Sequence, residues 1–201
     1  MFVPSLTGSI FAETRGLGLY LRCIETPETL VRASTRLIVR AALRETLDNL
    51  LPAEGESPAL ISVPGQPIRL APPWADIGLS VSHEPGLSLF AINLDGPVGV
   101  DLLRIAAIPA DIDAVARDYL GPGTARTLAG LASGQQQHAF ARAWTRFEAC
   151  LKCQALELRE WTPKLAERLA ACSVAELAMP AGWVGAVAIP GDRLRNASRS
   201  A

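Results

Sequence analysis

The sequence predicts an α+β fold made of two similar α/β halves, residues 1–95 and residues 96–201. The first observation is a repeated order of elements, in which a strand, a long helix and a closing strand occur twice. These elements are a strand at 17–23, a helix at 27–50 and a strand at 86–94, then a strand at 97–103, a helix at 135–158 and a strand at 183–189. The second observation is that a glycine, Gly86 or Gly182, opens the closing strand of each half. We therefore expect halves related by a pseudo-two-fold axis, with a ligand cleft between them.

The composition is that of a globular protein with a full apolar core. Of the 201 residues, 49% are hydrophobic and 19% are charged. The net charge of -1 gives no overall field that attracts nucleic acid, so any anion site must be a local patch. No apolar run approaches the roughly 20 residues that span a membrane, and the N-terminus lacks the features of a signal peptide. We expect a cytoplasmic protein that binds neither nucleic acid nor membranes.

The first half begins with a strand and a long helix. Residues 16–23 alternate loosely between apolar and other side chains, which is typical of a strand. Thr26, Pro27 and Glu28 then provide a helix N-cap, a proline at the first helical position and an acid in the first turn. The helix is predicted to reach about Leu50. The residues predicted to face inward are Leu30, Ala33, Leu37, Ala41 and Leu47.

Arginines recur at every fourth position of this helix. They are Arg32, Arg36, Arg40 and Arg44. At 3.6 residues per turn they form a ridge that turns only slowly around the helix axis. One interpretation is a solvated face whose charge is offset by Glu28, Glu45 and Asp48. The other is a clamp for phosphates or for an acidic partner.

The middle of the chain brings a serine and a histidine to a strand end. Residues 51–73 are rich in proline and glycine, and 64–70 are predicted to form a turn that leads into a short strand. The alternating run at 77–86 then ends with Ser82, His83 and a turn. Polar side chains at a strand end are well placed to bind ligands, but a lone histidine also often has a structural role. Both interpretations stay open here.

Asp101 interrupts the next apolar strand. Asp95 and Gly96 predict a hairpin turn, so that residues 97–103 return alongside the strand at 86–94. Carboxylates are rarely buried without a partner, because an unpaired buried charge is costly. We therefore expect Asp101 to face a cation.

The second half is mainly helical between its two strands. Its last predicted strand, at 183–189, is a clear apolar run. The other predicted elements are short helices at 112–119 and 124–131, a long helix from 133 or 135 to 158, a helical segment at 161–171 and a frayed tail at 191–201.

The long helix has an apolar stripe with two charges along one edge. The stripe consists of Phe140, Trp144, Phe147, Leu151, Ala155 and Leu158, which recur at helical spacing. At about 100° per residue, Glu148 and Lys152 lie side by side at the edge, where a ligand can reach them. One interpretation is an internal ion-pair network with Asp101 that joins strand and helix, and the other is a catalytic site.

The chain has four cysteines, of which Cys150 and Cys153 form a C-x-x-C motif. A redox pair needs its first thiol at a helix N-terminus, but both of these lie inside the long helix, on the side turned away from the stripe. A zinc site needs two further ligands, and Cys23 and Cys172 show no second metal-type spacing. We predict ordinary reduced thiols.

Three motifs occur in an order that resembles a known enzyme family. They are Ser80-Val81-Ser82-His83, Val98-Gly99-Val100-Asp101 and Trp144-Thr145-Arg146-Phe147-Glu148-Ala149-Cys150-Leu151-Lys152. Together they resemble the 4'-phosphopantetheinyl transferases of the surfactin-synthetase-activating (Sfp) type, which carry an S-H motif, a V-G-[IV]-D strand and a W-[ST]-x-K-E-[AS]-x-x-K helix. The resemblance implies an enzyme that moves the 4'-phosphopantetheine arm of coenzyme A to a carrier-protein serine and releases 3',5'-ADP. It also implies two α/β halves with coenzyme A in the cleft.

The resemblance further implies roles for the site residues. Asp101 and Glu148 would be the protein ligands of Mg²⁺, and with Lys152 they would form the catalytic set. Glu148 would also be the general base for the carrier serine, directly or through a water, while Lys152 would hold a phosphate oxygen. The contacts to coenzyme A would come from His83, Ser82, Arg32, Arg36, Arg69 and Lys152.

The partners implied are coenzyme A and an acyl, polyketide or peptidyl carrier protein. Arg32 and Arg36 would serve either the 3'-phosphate of coenzyme A or the acidic carrier. The first half would then hold nucleotide and carrier contacts, and the second half the metal and catalytic motifs. Because the cleft lies within one chain, we expect a monomer.

Three positions depart from the family pattern. Leu103 stands where many members have a second acid, and Phe147 and Gln66 stand where members usually have lysines. Arg69 is a candidate replacement for the lysine missing at Gln66. These departures motivate the alternative of a non-catalytic member that binds coenzyme A or a carrier domain without transfer.

Overall fold

The structure, a computed structural model, describes residues 11–14, 18–51, 58–63, 66–108 and 111–191. Parts of three predicted elements lie outside these residues, namely the start of the first strand, the turn at Pro64 and Gly65, and the C-terminal tail. Among the described helices, none combines the length and the apolar character that crossing a bilayer requires.

Strands and helices alternate irregularly along the chain, which confirms a mixed α and β fold. The strands are β1 (Phe11–Thr14), β2 (Leu19–Glu25), β3 (Leu60–Ile61), β4 (Arg69–Leu70), β5 (Gly78–Glu84), β6 (Leu87–Asn93), β7 (Gly99–Arg104), β8 (Cys172–Leu177) and β9 (Trp183–Pro190). The helices are α1 (Arg32–Leu50), α2 (Ile112–Val115), α3 (Gly121–Ala129), α4 (Ser133–Cys153) and α5 (Pro163–Leu169). A 3₁₀ turn, Ile105–Ala107, follows β7, and a π-helical turn, Ala116–Leu120, joins α2 to α3.

The first sheet has the strand order β1-β2-β6-β5, with every neighbouring pair antiparallel. Helix α1 packs on it through large side chains. Val39, Leu43 and Leu47 of α1 are buried in one cluster with Phe90 and Ile92 of β6. Burial of this kind supplies about 1.5–3 kcal/mol for each large apolar side chain, so the contact fixes α1 on the sheet.

The inward face of α1 differs from the predicted one. Leu37 is 65% exposed, and Ala33 and Ala41 are also exposed, so only Leu47 of the predicted inward residues is fully buried. Helix α1 has apolar residues on two opposite faces. The face with Val39 and Leu43 packs on the sheet, and the face with Leu37 is left exposed.

Helix α1 also begins later than predicted. Thr26 continues from β2, its backbone N–H donating to Gly86 O at 3.0 Å, and Leu30 N–H donates to Pro27 O to form a turn. The helix N-cap is Val31. The predicted capping segment therefore forms the turn before the helix.

The second sheet has the strand order β7-β9-β8, again fully antiparallel. Helix α4 packs closely on it through small residues. Ala149 of α4 is buried against Ala186 and Ala188 of β9. A Cβ atom added to Gly99 of β7 would lie 1.9 Å from Ala149 O, so only glycine allows this approach. Strand β8 was not predicted, because its residues are mostly half-buried and show no clear apolar alternation.

Helix α4 begins as predicted but ends five residues early, at Cys153. Ala155 has a φ of 50°, a left-handed conformation that does not continue a helix, and Leu158 is 51% exposed. The predicted stripe therefore stops at Leu151. Cys150 and Cys153, predicted to lie on the side turned away from the stripe, are both buried against β9 because α4 has a second packed face.

The predicted hairpin at Asp95 and Gly96 is wrong, since β6 and β7 belong to different sheets. Strand β7 instead runs beside β5, the edge strand of the first sheet. Ser80 Oγ accepts a hydrogen bond from Val100 N at 3.0 Å, and Ser82 Oγ accepts one from Leu102 N at 3.3 Å. Serine hydroxyls thus join the two sheets. The two sheets are also similar in strand order, since β6 lies between β2 and β5 and β9 lies between β7 and β8, so that the last of the three strands in the sequence is in the middle each time.

Candidate active site

Asp101 lies near the middle of β7 and is only 7% exposed. Its Oδ1 atom accepts hydrogen bonds from Ser82 Oγ at 2.8 Å and from Lys152 Nζ at 2.7 Å. The ammonium of Lys152 also donates to Val100 O at 3.0 Å. The cation expected beside Asp101 is therefore Lys152, from the last turn of α4.

Glu148 lies one helical turn before Lys152 on α4 and shares a cavity with Asp101. Burial raises the pKa of the Glu148 carboxyl, the negative charge of Asp101 raises it further, and Lys152 acts in the opposite direction. A carboxyl with a raised pKa holds protons more readily than an ordinary glutamate, which suits a group that accepts a proton during catalysis.

This carboxylate cavity has a volume of about 320 Å³. Asp101, Glu148 and Lys152 line it from the second sheet and α4, and Arg32 and Arg36 line it from α1. With Glu84, which also lines this cavity, three acids and three cations surround one space. Such a mixture suits a ligand that carries phosphates together with a metal ion.

A larger cavity of about 610 Å³ lies beside the first one. Arg36, His83 and Lys152 line both cavities, so the two spaces are neighbours. Arg40 lines the larger cavity and donates a hydrogen bond to Ser62 Oγ, which lines it as well. The arginine ridge of α1 therefore faces the cavities with at least three of its four members.

His83 is neutral at physiological pH in this environment. Burial is the main cause that lowers the pKa of its imidazole to about 4, and the charges of Arg36, Lys152, Arg32 and Arg40 add to the effect. The Nδ1 atom lies 3.0 Å from Ser88 Oγ, which orients the ring. A neutral imidazole in a cationic cavity is suited to hydrogen bonding rather than to charge pairing.

Two predicted coenzyme A contacts are placed differently. The Ser82 hydroxyl is buried and engaged with Asp101 and Leu102, so it positions the aspartate. Arg69 is exposed on β4 and lines neither cavity, although its neighbour Ile68 lines the larger one. Strand β4 directs the side chains of adjacent residues to opposite sides, which explains the difference.

Sequence reasoning missed Glu84 as a cavity residue, and it named Arg40 only as a member of the arginine ridge and not among the coenzyme A contacts. Glu84 ends β5 and lines the carboxylate cavity, where burial and the charge of Asp101 raise its pKa. The charge of Glu84 within the S-H-E run was the available signal for that residue. For Arg40, the signal was the regular spacing of the ridge.

The three departures from the family pattern lie in different places. Leu103 lines the carboxylate cavity and Gln66 lines the larger cavity. Phe147 lies in a third cavity, on another side of α4, with its ring centroid 6.0 Å from that of Trp144. Phe147 therefore does not line the cavity that contains both carboxylates.

The donor set fits a magnesium ion that a substrate helps to bind. Within the described residues, no group of three histidine, cysteine, aspartate or glutamate side chains has the arrangement of a complete metal site. Asp101 and Glu148 nevertheless line one cavity, and the pKa of Glu148 is raised by burial and further by the negative charge of Asp101. Mg²⁺ is commonly held by one or two carboxylates with waters and substrate phosphates, so these two residues fit it.

Residues 97–179 match the family model of the 4'-phosphopantetheinyl transferase superfamily. This superfamily region contains Asp101, Glu148 and Lys152. A similar protein is the 4'-phosphopantetheinyl transferase HetI of Nostoc sp. (strain PCC 7120), which is 30% identical over 139 residues, or 63% of this chain. The match covers 58% of HetI, so the chain spans less than two thirds of the length of this relative.

Proposed function

We propose that the chain is a 4'-phosphopantetheinyl transferase of the Sfp type, which moves the phosphopantetheine arm of coenzyme A to a carrier-protein serine and releases 3',5'-ADP. The observation that carries this proposal is the cavity shared by Asp101, Glu148 and Lys152, all within the superfamily region. HetI is named as a 4'-phosphopantetheinyl transferase, and this activity of a similar protein supports the same chemistry.

Asp101 and Glu148 are the residues that would hold Mg²⁺. The ion would neutralise charge on the pyrophosphate of coenzyme A when bound. Glu148 would accept the proton of the carrier serine, consistent with its raised pKa. Lys152 would contact a phosphate oxygen, since its ammonium already lies between both cavities. Ser82 would keep Asp101 in place through its 2.8 Å hydrogen bond.

Coenzyme A would occupy the larger cavity and extend to the carboxylates. Arg36 and Arg40 would bind its phosphates, and the neutral His83 would hydrogen-bond its nucleotide end. The matching strand orders of the two sheets support a pseudo-two-fold relation between residues 1–95 and 96–201. On this proposal the cleft belongs to one chain, which acts as a cytoplasmic monomer on an acyl, polyketide or peptidyl carrier.

Transfer is favoured over coenzyme A binding without transfer, because both carboxylates and Lys152 are present in one cavity. The test is incubation with coenzyme A, Mg²⁺ and several apo carrier proteins, followed by intact-mass measurement of the carriers. We expect phosphopantetheine on at least one carrier, and none with the Glu148→Gln variant. Measurable coenzyme A binding with no addition to any carrier would support the non-catalytic alternative.

A further inference from the structure

Three cysteines meet on the side of α4 that packs on the second sheet. Cys150 and Cys153 come from α4, and Cys172 is the first residue of β8. Cys150 and Cys153 are buried in a cluster with Ala186 and Ala188, and Cys172 packs against that cluster. The C-x-x-C motif, predicted to be two isolated thiols, is therefore joined by a third cysteine from a distant part of the sequence.

The sulfur of Cys172 is the acceptor at the centre of this group. Cys172 packs against the cluster that contains Cys150 and Cys153, and it lines one cavity together with Cys150. The side-chain amide of Gln154 donates to Cys172 Sγ at 3.5 Å. Hydrogen bonds from this amide and from the neighbouring thiols favour the thiolate over the thiol. These donors outweigh burial and lower the pKa of Cys172 to about 3.

Cys172 is also accessible from solvent. It is half-buried and lines a cavity of about 300 Å³ together with Cys150 and Arg146. The guanidinium of Arg146, which lies 3.7 Å from Glu176 Oε1, brings a positive charge to this thiol cavity. Cys23 provides the contrast, since it is buried in β2 and burial raises its pKa to about 11.

We propose that Cys172 is a reactive thiol that a small hydroperoxide oxidises and that Cys150 or Cys153 then converts to a disulfide. In the first step the Cys172 sulfur attacks a peroxide oxygen and the O–O bond breaks. The departing oxygen takes a proton and leaves as water or an alcohol, and Cys172 becomes a sulfenic acid. In the second step a thiol of α4 attacks the sulfenic sulfur, the S–O bond breaks and water leaves. Two thiols are oxidised and one hydroperoxide is reduced.

This disulfide would tie β8 to α4 close to Glu148 and Lys152, but the proposal does not depend on the transferase activity. It is tested on the reduced full-length protein with hydrogen peroxide, by intact mass and by peptide mapping after alkylation. We expect the loss of two hydrogen atoms, a Cys172-containing cross-link to α4, and full reversal by dithiothreitol. The Cys23→Ser variant, which also removes one thiol, should form the same cross-link.

Two variants test the assignment of the reacting sulfur. Cys172→Ser should lose the cross-link, and the double variant Cys150→Ser/Cys153→Ser should stop at a sulfenic acid that dimedone labels. Thermal unfolding checks that each variant is folded. If Cys172→Ser does not fold, Cys172→Ala is used in its place. Four free thiols in the native protein after peroxide treatment would overturn the proposal. So would a disulfide that forms equally fast without Cys172.

Discussion

Helices α1 and α4 each pack on one sheet, but they contact it in different ways. Helix α4 uses small residues, and its backbone comes so close to β7 that Gly99 has no room for a side chain. Helix α1 uses large residues such as Val39 and Leu43, which also line the 610 Å³ cavity between α1 and β5. Close packing fixes the position of reactive groups, whereas wider packing leaves space for a ligand.

The charges follow the same division. The second sheet and α4 carry Asp101, Glu148 and Lys152, which line one cavity. Lys152 Nζ donates to Asp101 Oδ1 at 2.7 Å. Helix α1 contributes arginines whose long side chains reach the cavities from an exposed face. The second sheet and α4 are therefore the region proposed for chemistry, and α1 is the region proposed for binding. Variants of the two regions should behave differently.

The largest effect is expected on the α4 side, from Glu148→Gln. Replacing the carboxylate removes both a proposed metal ligand and the proposed base, so transfer should fall by about 10²–10⁴-fold. The measurement is kcat/KM for modification of an apo carrier at saturating Mg²⁺. Glu160→Gln is the matched control, because Glu160 is exposed and lines neither cavity. Near-normal turnover of Glu148→Gln would show that Glu148 is neither the metal ligand nor the base.

The close approach of α4 is tested by Gly99→Ala. The added Cβ would meet Ala149 O, a backbone atom that moves only with the helix. We expect a loss of about 3 kcal/mol in the free energy of unfolding, or roughly 6–12 °C in Tm. Gly123→Ala is the control, since a Cβ there has nothing within 4 Å. Equal stability of the two variants would mean that α4 is not held this closely.

On the α1 side, Arg36→Gln should weaken coenzyme A binding. Arg36 lines both cavities, and a charge-assisted hydrogen bond contributes about 1.5–3 kcal/mol, so Kd should rise by roughly tenfold or more. Arg44→Gln is the matched control, because Arg44 continues the ridge but lines neither cavity. Calorimetric titration without a carrier measures both. Identical affinities would favour a solvated role for the whole ridge.

The smallest effect concerns pH and His83. Its folded pKa of about 4 lies below the ordinary value of 6.5, so the unfolded chain binds more protons between these values. The free energy of unfolding should therefore fall as pH is lowered from about 6.5 to 4, and His83→Gln should reduce that slope. Denaturant unfolding at several pH values measures it. His138→Gln, at an exposed position, is the matched histidine control.

Much of the fold was predictable because its periodicities are strong. The apolar runs in β6 and β9 and the helical spacing in α4 specified these elements to within a few residues. The sheet assignment of β7 was not predictable from the turn at Asp95, because partner choice depends on the distant strand β9. The prediction of the buried face of α1 was wrong for a similar reason, since α1 has two apolar faces and only one of them packs on the sheet.

The site was predictable where a charge interrupted an apolar pattern. Asp101 stood out within a strand, and the need for a partner cation was confirmed by Lys152. Glu84 lacked such a contrast because it follows the polar residues Ser82 and His83, and Arg40 was one of four equally spaced arginines. The cluster of Cys150, Cys153 and Cys172 was missed because Cys172 is separated from α4 by a helix, and no local spacing in the sequence relates the three residues.

The joining of the two sheets through serine hydroxyls has a consequence for backbone amide exchange. The N–H groups of Val100 and Leu102 donate to Ser80 and Ser82, so a side-chain rotation can release them while every ladder hydrogen bond remains. Their deuterium uptake would therefore report separation of β5 from β7 as an event distinct from global unfolding. A ligand that bridges both sheets would slow uptake at these two amides first, and so provide a spectroscopic signal for its binding.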